Sequence, residues 1–206
     1  MSTVLKREVA SPDVWTNPEA ERFGTSATVV TAVRTVLAVV LAGLAAERGS
    51  LTLLVASLAV YWVGDSLDGF VARTRGCETR IGAVLDILCD RLCSAAFYIG
   101  LVWLHSEFAV PVFLYLAEFM VLDCFLSMAF LAWPVRSPNY FYVVDRPLWL
   151  WNWSKPGKTL NSSLFAVLLL VTGWVWLAAV IACGLLVLKI ASLARLARIG
   201  LPVPAR

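Results

Sequence analysis

Six apolar stretches alternate with short polar connections along the chain, at roughly 27–46, 51–72, 80–104, 108–133, 159–172 and 174–194. A bilayer core about 30 Å thick takes roughly 20 apolar residues to cross as a helix. Most of these stretches meet that length, whereas the fifth is short. Thr172-Gly173 predicts a tight turn between the last two, because one unbroken helix over their combined length would exceed a single crossing at about 1.5 Å per residue. The pattern predicts an all-α integral membrane protein with six transmembrane helices. Residues 1–24 form a polar N-terminal segment, 25–198 the membrane domain and 199–206 a short tail. Within the first of these, Val14, Trp15 and Phe23 among polar neighbours suit a short interfacial helix. A disordered tail over 1–12 is the alternative.

Basic residues fix the expected orientation. Lys6, Arg7 and Arg22 precede the first stretch; Arg73, Arg75 and Arg80 lie between the second and third; Arg136, Arg146, Lys155 and Lys158 lie between the fourth and fifth; Arg195, Arg198 and Arg206 follow the sixth. The other connections offer only Arg48 and His105. An even number of spans puts every basic region on one side, expected to be cytoplasmic with both termini. Composition agrees: 60% of the 206 residues are hydrophobic and 15% charged, against roughly 45–50% and 25% in soluble domains. A net charge of +3 is too small to point to nucleic acid. The five cysteines include no CxxC pair, which argues against zinc. The N-terminal segment lacks the apolar core and cleavage site of a leader. No internal repeat, glycine-rich phosphate loop, GxSxG elbow or histidine triad is present.

Against this background the acids stand out. Asp65, Asp68, Asp86 and Asp90 lie within or beside the second and third apolar stretches. A charge at the bilayer centre costs roughly 2.5–3.5 kcal/mol, and such residues normally face a polar cavity. Asp65 and Asp68 are three apart, Asp86 and Asp90 four apart, so each pair shares a helix face. Two helices can therefore aim four carboxylates into one cavity. Their mutual repulsion favours hard divalent cations, which take oxygen ligands. Simple ion pairing between helices would explain one or two such charges, not four at this spacing.

The full stretch reads Asp65-x2-Asp68-Gly69-x2-Ala72-Arg73-x8-Gly82-x3-Asp86-x3-Asp90. It resembles the signature of the CDP-alcohol phosphotransferase (CDP-alcohol phosphatidyltransferase) family at all eight fixed positions. The resemblance implies Asp65, Asp68, Asp86 and Asp90 as ligands for one or two ions of Mg²⁺ or Mn²⁺, with Asp90 also the catalytic base. It implies a donor such as CDP-diacylglycerol, a hydroxyl acceptor, release of CMP, and a homodimer in a bacterial-type cell membrane. Gly69, Ala72 and Gly82 would keep the nucleotide side of the site low, and Arg73 suits bidentate phosphate contact. Thr31 and Arg34 resemble the family's first-helix T-x2-R element near the nucleotide; Arg34 as a structural partner of an aspartate is the alternative. The carboxylate cavity is expected to open to the cytoplasm.

The acceptor is open at this stage. Arg146, Lys155 and Lys158 suggest a cationic pocket, and the stretch SKPGKT resembles, one residue out of register, the GKxKT element of phosphatidylglycerophosphate synthases. Glycerol 3-phosphate is therefore the first expectation, with an inositol phosphate or phosphatidylglycerol as alternatives. Glu118 and Asp123, five apart in the fourth stretch, do not share a face well; Asp123 either lines the cavity or pairs with an arginine. Arg91 projects about 100° from Asp90 and suits helix–helix pairing as well as substrate contact. The tryptophan-rich connection 136–157 suits an aromatic belt or an acceptor-side lid. Two readings from other classes stand beside the enzyme: a metal or ion transporter, giving flux without CMP release, and a catalytically dead lipid-binding member.

Overall fold

The computed structural model describes residues 14–202. These form an all-α bundle of α1 (Ser26–Arg48), α2 (Leu51–Thr74), α3 (Arg80–Leu104), α4 (Ser106–Ala132), α5 (Arg146–Asn152), α6 (155–172) and α7 (Val175–Ile199). Five of them, α1 to α4 and α7, are long and apolar enough to cross a membrane. The fifth predicted stretch is helical too, but it forms only the apolar part of the shorter α6. Outward-facing Val63, Trp103, Phe113 and Val171 are strongly exposed, as expected for side chains that meet lipid.

Local signals set the ends. Thr25, Ser50 and Thr79 cap α1, α2 and α3 by accepting from backbone N–H groups of the first turn. Gly173, at φ 64°, closes α6 in the left-handed conformation and makes the predicted turn before α7. Ala38, Ala42 and Ala45 line the α1 face against α2, where the Ser57 hydroxyl donates to Ala38 O at 2.7 Å. Small residues let these two helices approach closely. Tyr98, Tyr115 and Phe165 pack together among α3, α4 and α6, with the Tyr115 and Phe165 rings stacked.

The connections predicted to share one side do meet at one end of the bundle. Residues 14–25 form a strap rather than an interfacial helix, with a single 3-10 turn at Pro18–Ala20. Trp15 pairs with Val135 in an isolated antiparallel bridge. The Glu21 carboxylate accepts from Arg80 N at 2.9 Å, so backbone N–H groups at the start of α3 hold the strap instead of a lipid surface. The expectation of a disordered tail at 1–12 lies outside the described residues. Connection 136–157 holds a 3-10 segment, α5 and the start of α6. Asp145 caps α5 and accepts from Arg195 of α7, whose guanidinium holds this carboxyl below its ordinary range.

Candidate active site

The turn between α2 and α3 brings the two pairs of aspartates together. Asp65, Asp68 and Asp86 each offer an oxygen within 4.8 Å of the others. Asp90 joins them through Arg34 of α1, whose Nε donates to Asp68 Oδ2 (2.7 Å) and whose Nη2 donates to Asp86 Oδ1 (2.6 Å) and Asp90 Oδ1 (2.9 Å). Thr31, one turn before Arg34, donates its hydroxyl to Asp68 Oδ2 at 2.8 Å. One guanidinium against four carboxylates leaves an excess of negative charge, and the donor set is oxygen throughout. Those two facts suit Mg²⁺ or Mn²⁺ at Asp65, Asp68 and Asp86.

Arg34 is a partner of the aspartates. It lines neither polar cavity described below; its stem crosses α2 and its head is buried among the aspartates. The alternative reading, a partner of aspartates, is the one the geometry places. The crossing depends on Gly64, where an added Cβ would stand 2.5 Å from Arg34 Cβ. Gly64→Ala is therefore expected to push Arg34 out of the cluster. The expected cost is about 1–3 kcal/mol, read as a lowered Tm in detergent. A Tm equal to wild type would show that the contact relaxes freely.

Two cavities meet at Asp86. The smaller, about 80 Å³, contains Thr31, Asp68, Gly69, Ala72, Arg73 and Gly82, so the sequence-predicted nucleotide side is assembled as one surface. Two glycines there have local reasons. A Cβ at Gly69 would meet Arg73 Nη1 at 3.1 Å, so the bare backbone leaves room for that guanidinium. A Cβ at Gly82 would stand 2.8 Å from Thr79 Oγ1, the hydroxyl that caps α3. Arg136, which the sequence placed only among the basic connections, also lines this cavity and is anchored by donating from Nε to Trp15 O of the strap.

The larger cavity, about 350 Å³, has Asp65, Asp86 and Asp90 on one side. Asn152, Asn161, Ser162 and Lys158, from α5 and α6, also line it. Of the three cations suggested for an acceptor, only Lys158 is there; Arg146 and Lys155 are exposed and line neither cavity. Lys155 opens α6 and Lys158 follows three residues later, deeper toward the cavity wall that Asn161 and Ser162 continue, while Arg146 sits at the far start of α5. Ser137 Oγ and Asn161 Oδ1, in residues lining this cavity, are buried without a hydrogen-bond partner. An unmade hydrogen bond at a buried group costs about 1–3 kcal/mol. Trp153 is buried against Phe141 and lines the cavity, so the aromatic-belt reading fails for this residue.

Beneath the cavity runs a buried ion network. Arg91 Nη2 and Lys189 Nζ donate to the two oxygens of Asp123, at 2.5 and 2.6 Å. Asp123 thus does both things expected of it, lining the cavity and pairing with an arginine. Lys189 is fully buried and also donates to Asn152 Oδ1 at 2.8 Å. Asn152 in turn donates to Ser192 Oγ at 2.9 Å. A π-helical turn at Glu118–Asp123 widens α4, so Glu118 and Asp123 both lie in the field of Lys189 despite their five-residue spacing. Lys189 interrupts the last apolar stretch, the signal that would have found it. Asn152, Asn161 and Ser137 carry no comparable sequence mark.

A family model described as CDP-alcohol phosphatidyltransferase matches residues 24–188, which covers all four aspartates and both cavities. The chain belongs to this family. It is 40% identical over 106 residues to a phosphatidylinositol phosphate synthase of Mycobacteroides abscessus, across 50% of this chain and 47% of that protein. It is 46% identical over 67 residues to a protein of the same name from Mycobacterium tuberculosis, across 29% of this chain and 31% of the relative. The match to a third, from Mycobacterium marinum, is 56% over 39 residues, across 19% and 17%. The chain spans about half the length, or less, of the curated relatives it matches. No solved structure matches it.

Proposed function

We propose that this family member transfers a phosphatidyl group from CDP-diacylglycerol to a hydroxyl of an inositol phosphate, releasing CMP. The observation that carries the reading is the meeting of two polar cavities at Asp86, one carrying the family's nucleotide-side residues and one lined by amides, hydroxyls and a single lysine. The names of the relatives support the inositol phosphate. Glycerol 3-phosphate, the first expectation, rested on three cations in one pocket. Two of them lie elsewhere, and the relatives bear a different acceptor in their name.

The donor's phosphates are assigned to the smaller cavity, beside Arg73 and Arg136, with the cytidine extending from its mouth. Asp65, Asp68 and Asp86 would hold the divalent ions, which when bound offset the negative charge of the diphosphate. The acceptor lies in the larger cavity with its phosphate at Lys158. Its hydroxyl faces Asp90, which takes the proton as the oxygen attacks phosphorus. The new P–O bond forms as the bond to CMP breaks. The basic ends of the bundle support a cytoplasmic opening for the cavities, where both substrates' polar parts are soluble.

Purified protein with CDP-diacylglycerol and Mg²⁺ is expected to release CMP when inositol phosphate is added, and to stop when EDTA is added. Glycerol 3-phosphate, phosphatidylglycerol and serine serve as rival acceptors in separate reactions. Release with one of these and none with inositol phosphate would overturn the acceptor; release with none would overturn the reaction.

A further inference from the structure

We infer that Asn161 is a specificity-determining residue that accepts a hydrogen bond from a hydroxyl of the acceptor; this rests on the transferase reading above. Asn161 lies in the π-helical turn Thr159–Ser163 of α6, directly after Lys158, and both residues line the larger cavity. Its side chain is nearly fully buried, at 5% exposure. Nδ2 donates to Gly157 O at 2.6 Å and Trp151 O at 2.9 Å, which uses both amide hydrogens.

Those two bonds decide which end of the amide is which. Turning it over would set Oδ1 against two carbonyl oxygens. Gly157 makes the arrangement possible: a Cβ there would stand 2.8 Å from Leu150 O, so only a glycine lets α6 press against the carbonyl end of α5. Oδ1 is thereby held in place, and the protein supplies it with no donor. Buried polar groups are nearly always satisfied, so an orphaned oxygen on a residue that lines a cavity points to a ligand atom. That atom must carry a hydrogen. A phosphate oxygen would be repelled by Oδ1, whereas a hydroxyl satisfies it. The hydroxyl hydrogens of Thr159 and Ser162 are taken up by Lys155 O and Lys158 O, and the buried polar atom on this turn without a partner is Asn161 Oδ1. Lys158 then reads the acceptor's phosphate and Asn161 a hydroxyl of the same molecule. The acceptor class is a polyol monophosphate.

The test compares wild type with Asn161→Ala by CMP release, using the acceptor that wild type turns over most efficiently. The variant is expected to raise the acceptor KM about tenfold, the equivalent of one lost hydrogen bond, with kcat and the KM for CDP-diacylglycerol within twofold. A set of monodeoxy acceptor analogues separates recognition from folding. Wild type is expected to lose about the same factor with one analogue, and Asn161→Ala to lose nothing further with it. Equal loss on both substrates, or independent losses with every analogue, would make Asn161 a fold residue only and overturn the inference. Use of glycerol 3-phosphate by wild type would overturn the inositol phosphate reading alone, because the comparison then runs on that polyol monophosphate; use of serine or phosphatidylglycerol would overturn the inference as well.

Discussion

Replacing Asp90 with Asn is expected to cut CMP release by about 10²–10⁴-fold while leaving the fold and donor binding intact. The substitution is conservative where structure is concerned. Asp90 Oδ1 accepts from Arg34 Nη2 at 2.9 Å, and an Asn oxygen can still accept there. What the amide lacks is the ability to take the acceptor's proton. Asp86→Asn provides the contrast. Asp86 lies with Asp65 and Asp68 in the group whose oxygens sit within 4.8 Å of one another, so its loss weakens ion binding. Raising Mg²⁺ should restore much of the Asp86→Asn rate and little of the Asp90→Asn rate. The measurement is initial rate against Mg²⁺ for the three proteins, alongside Tm. If Asp90→Asn kept its rate within tenfold of wild type, or recovered at high Mg²⁺, its role would be that of another ion ligand.

Lys189→Met is expected to produce the largest loss of stability. Lys189 has no exposed surface and is the only cation that Asn152 Oδ1 meets among the described residues. Removing it leaves Asp123 with Arg91 alone and Asn152 Oδ1 without its donor. Breaking a buried pair from one side costs about 3–5 kcal/mol, because a charge is left uncompensated. Within membranes polar contacts average nearer 0.6 kcal/mol, since the reference state also finds partners. A Tm drop of several degrees would place this network with the buried case. Adding Asn152→Leu to Lys189→Met should recover the part of the loss that comes from the orphaned Asn152 Oδ1. No recovery in the double variant would mean that Lys189 acts through its ion pair with Asp123 rather than through Asn152.

Local chemistry alone determined the helices and the carboxylates. Apolar runs, capping hydroxyls at Thr25, Ser50 and Thr79, and Gly173 each act within a few residues, so the main helix boundaries were readable to within a turn or so. The motif from Asp65 to Asp90 was equally legible, because three- and four-residue spacings set a helix face without knowledge of the partner helix. The basic connections gathered at one end for the same reason, as alternate ends of successive helices must. Which side chains from distant segments enter the site was decided only by packing. Arg34 reaches three aspartates because Gly64 leaves its path clear; Lys158 reaches the cavity while Lys155, three residues earlier, does not; Asn161 presents an orphaned oxygen because two carbonyls from α5 and α6 hold its amide. The strap at residues 14–25 looked amphipathic, yet it satisfies the free N–H groups of α3, a demand visible only once α3 is in place. These outcomes depend on contacts between residues far apart in the chain. Spacing along one element cannot encode them, whereas it encodes in full the period that puts two carboxylates on one face.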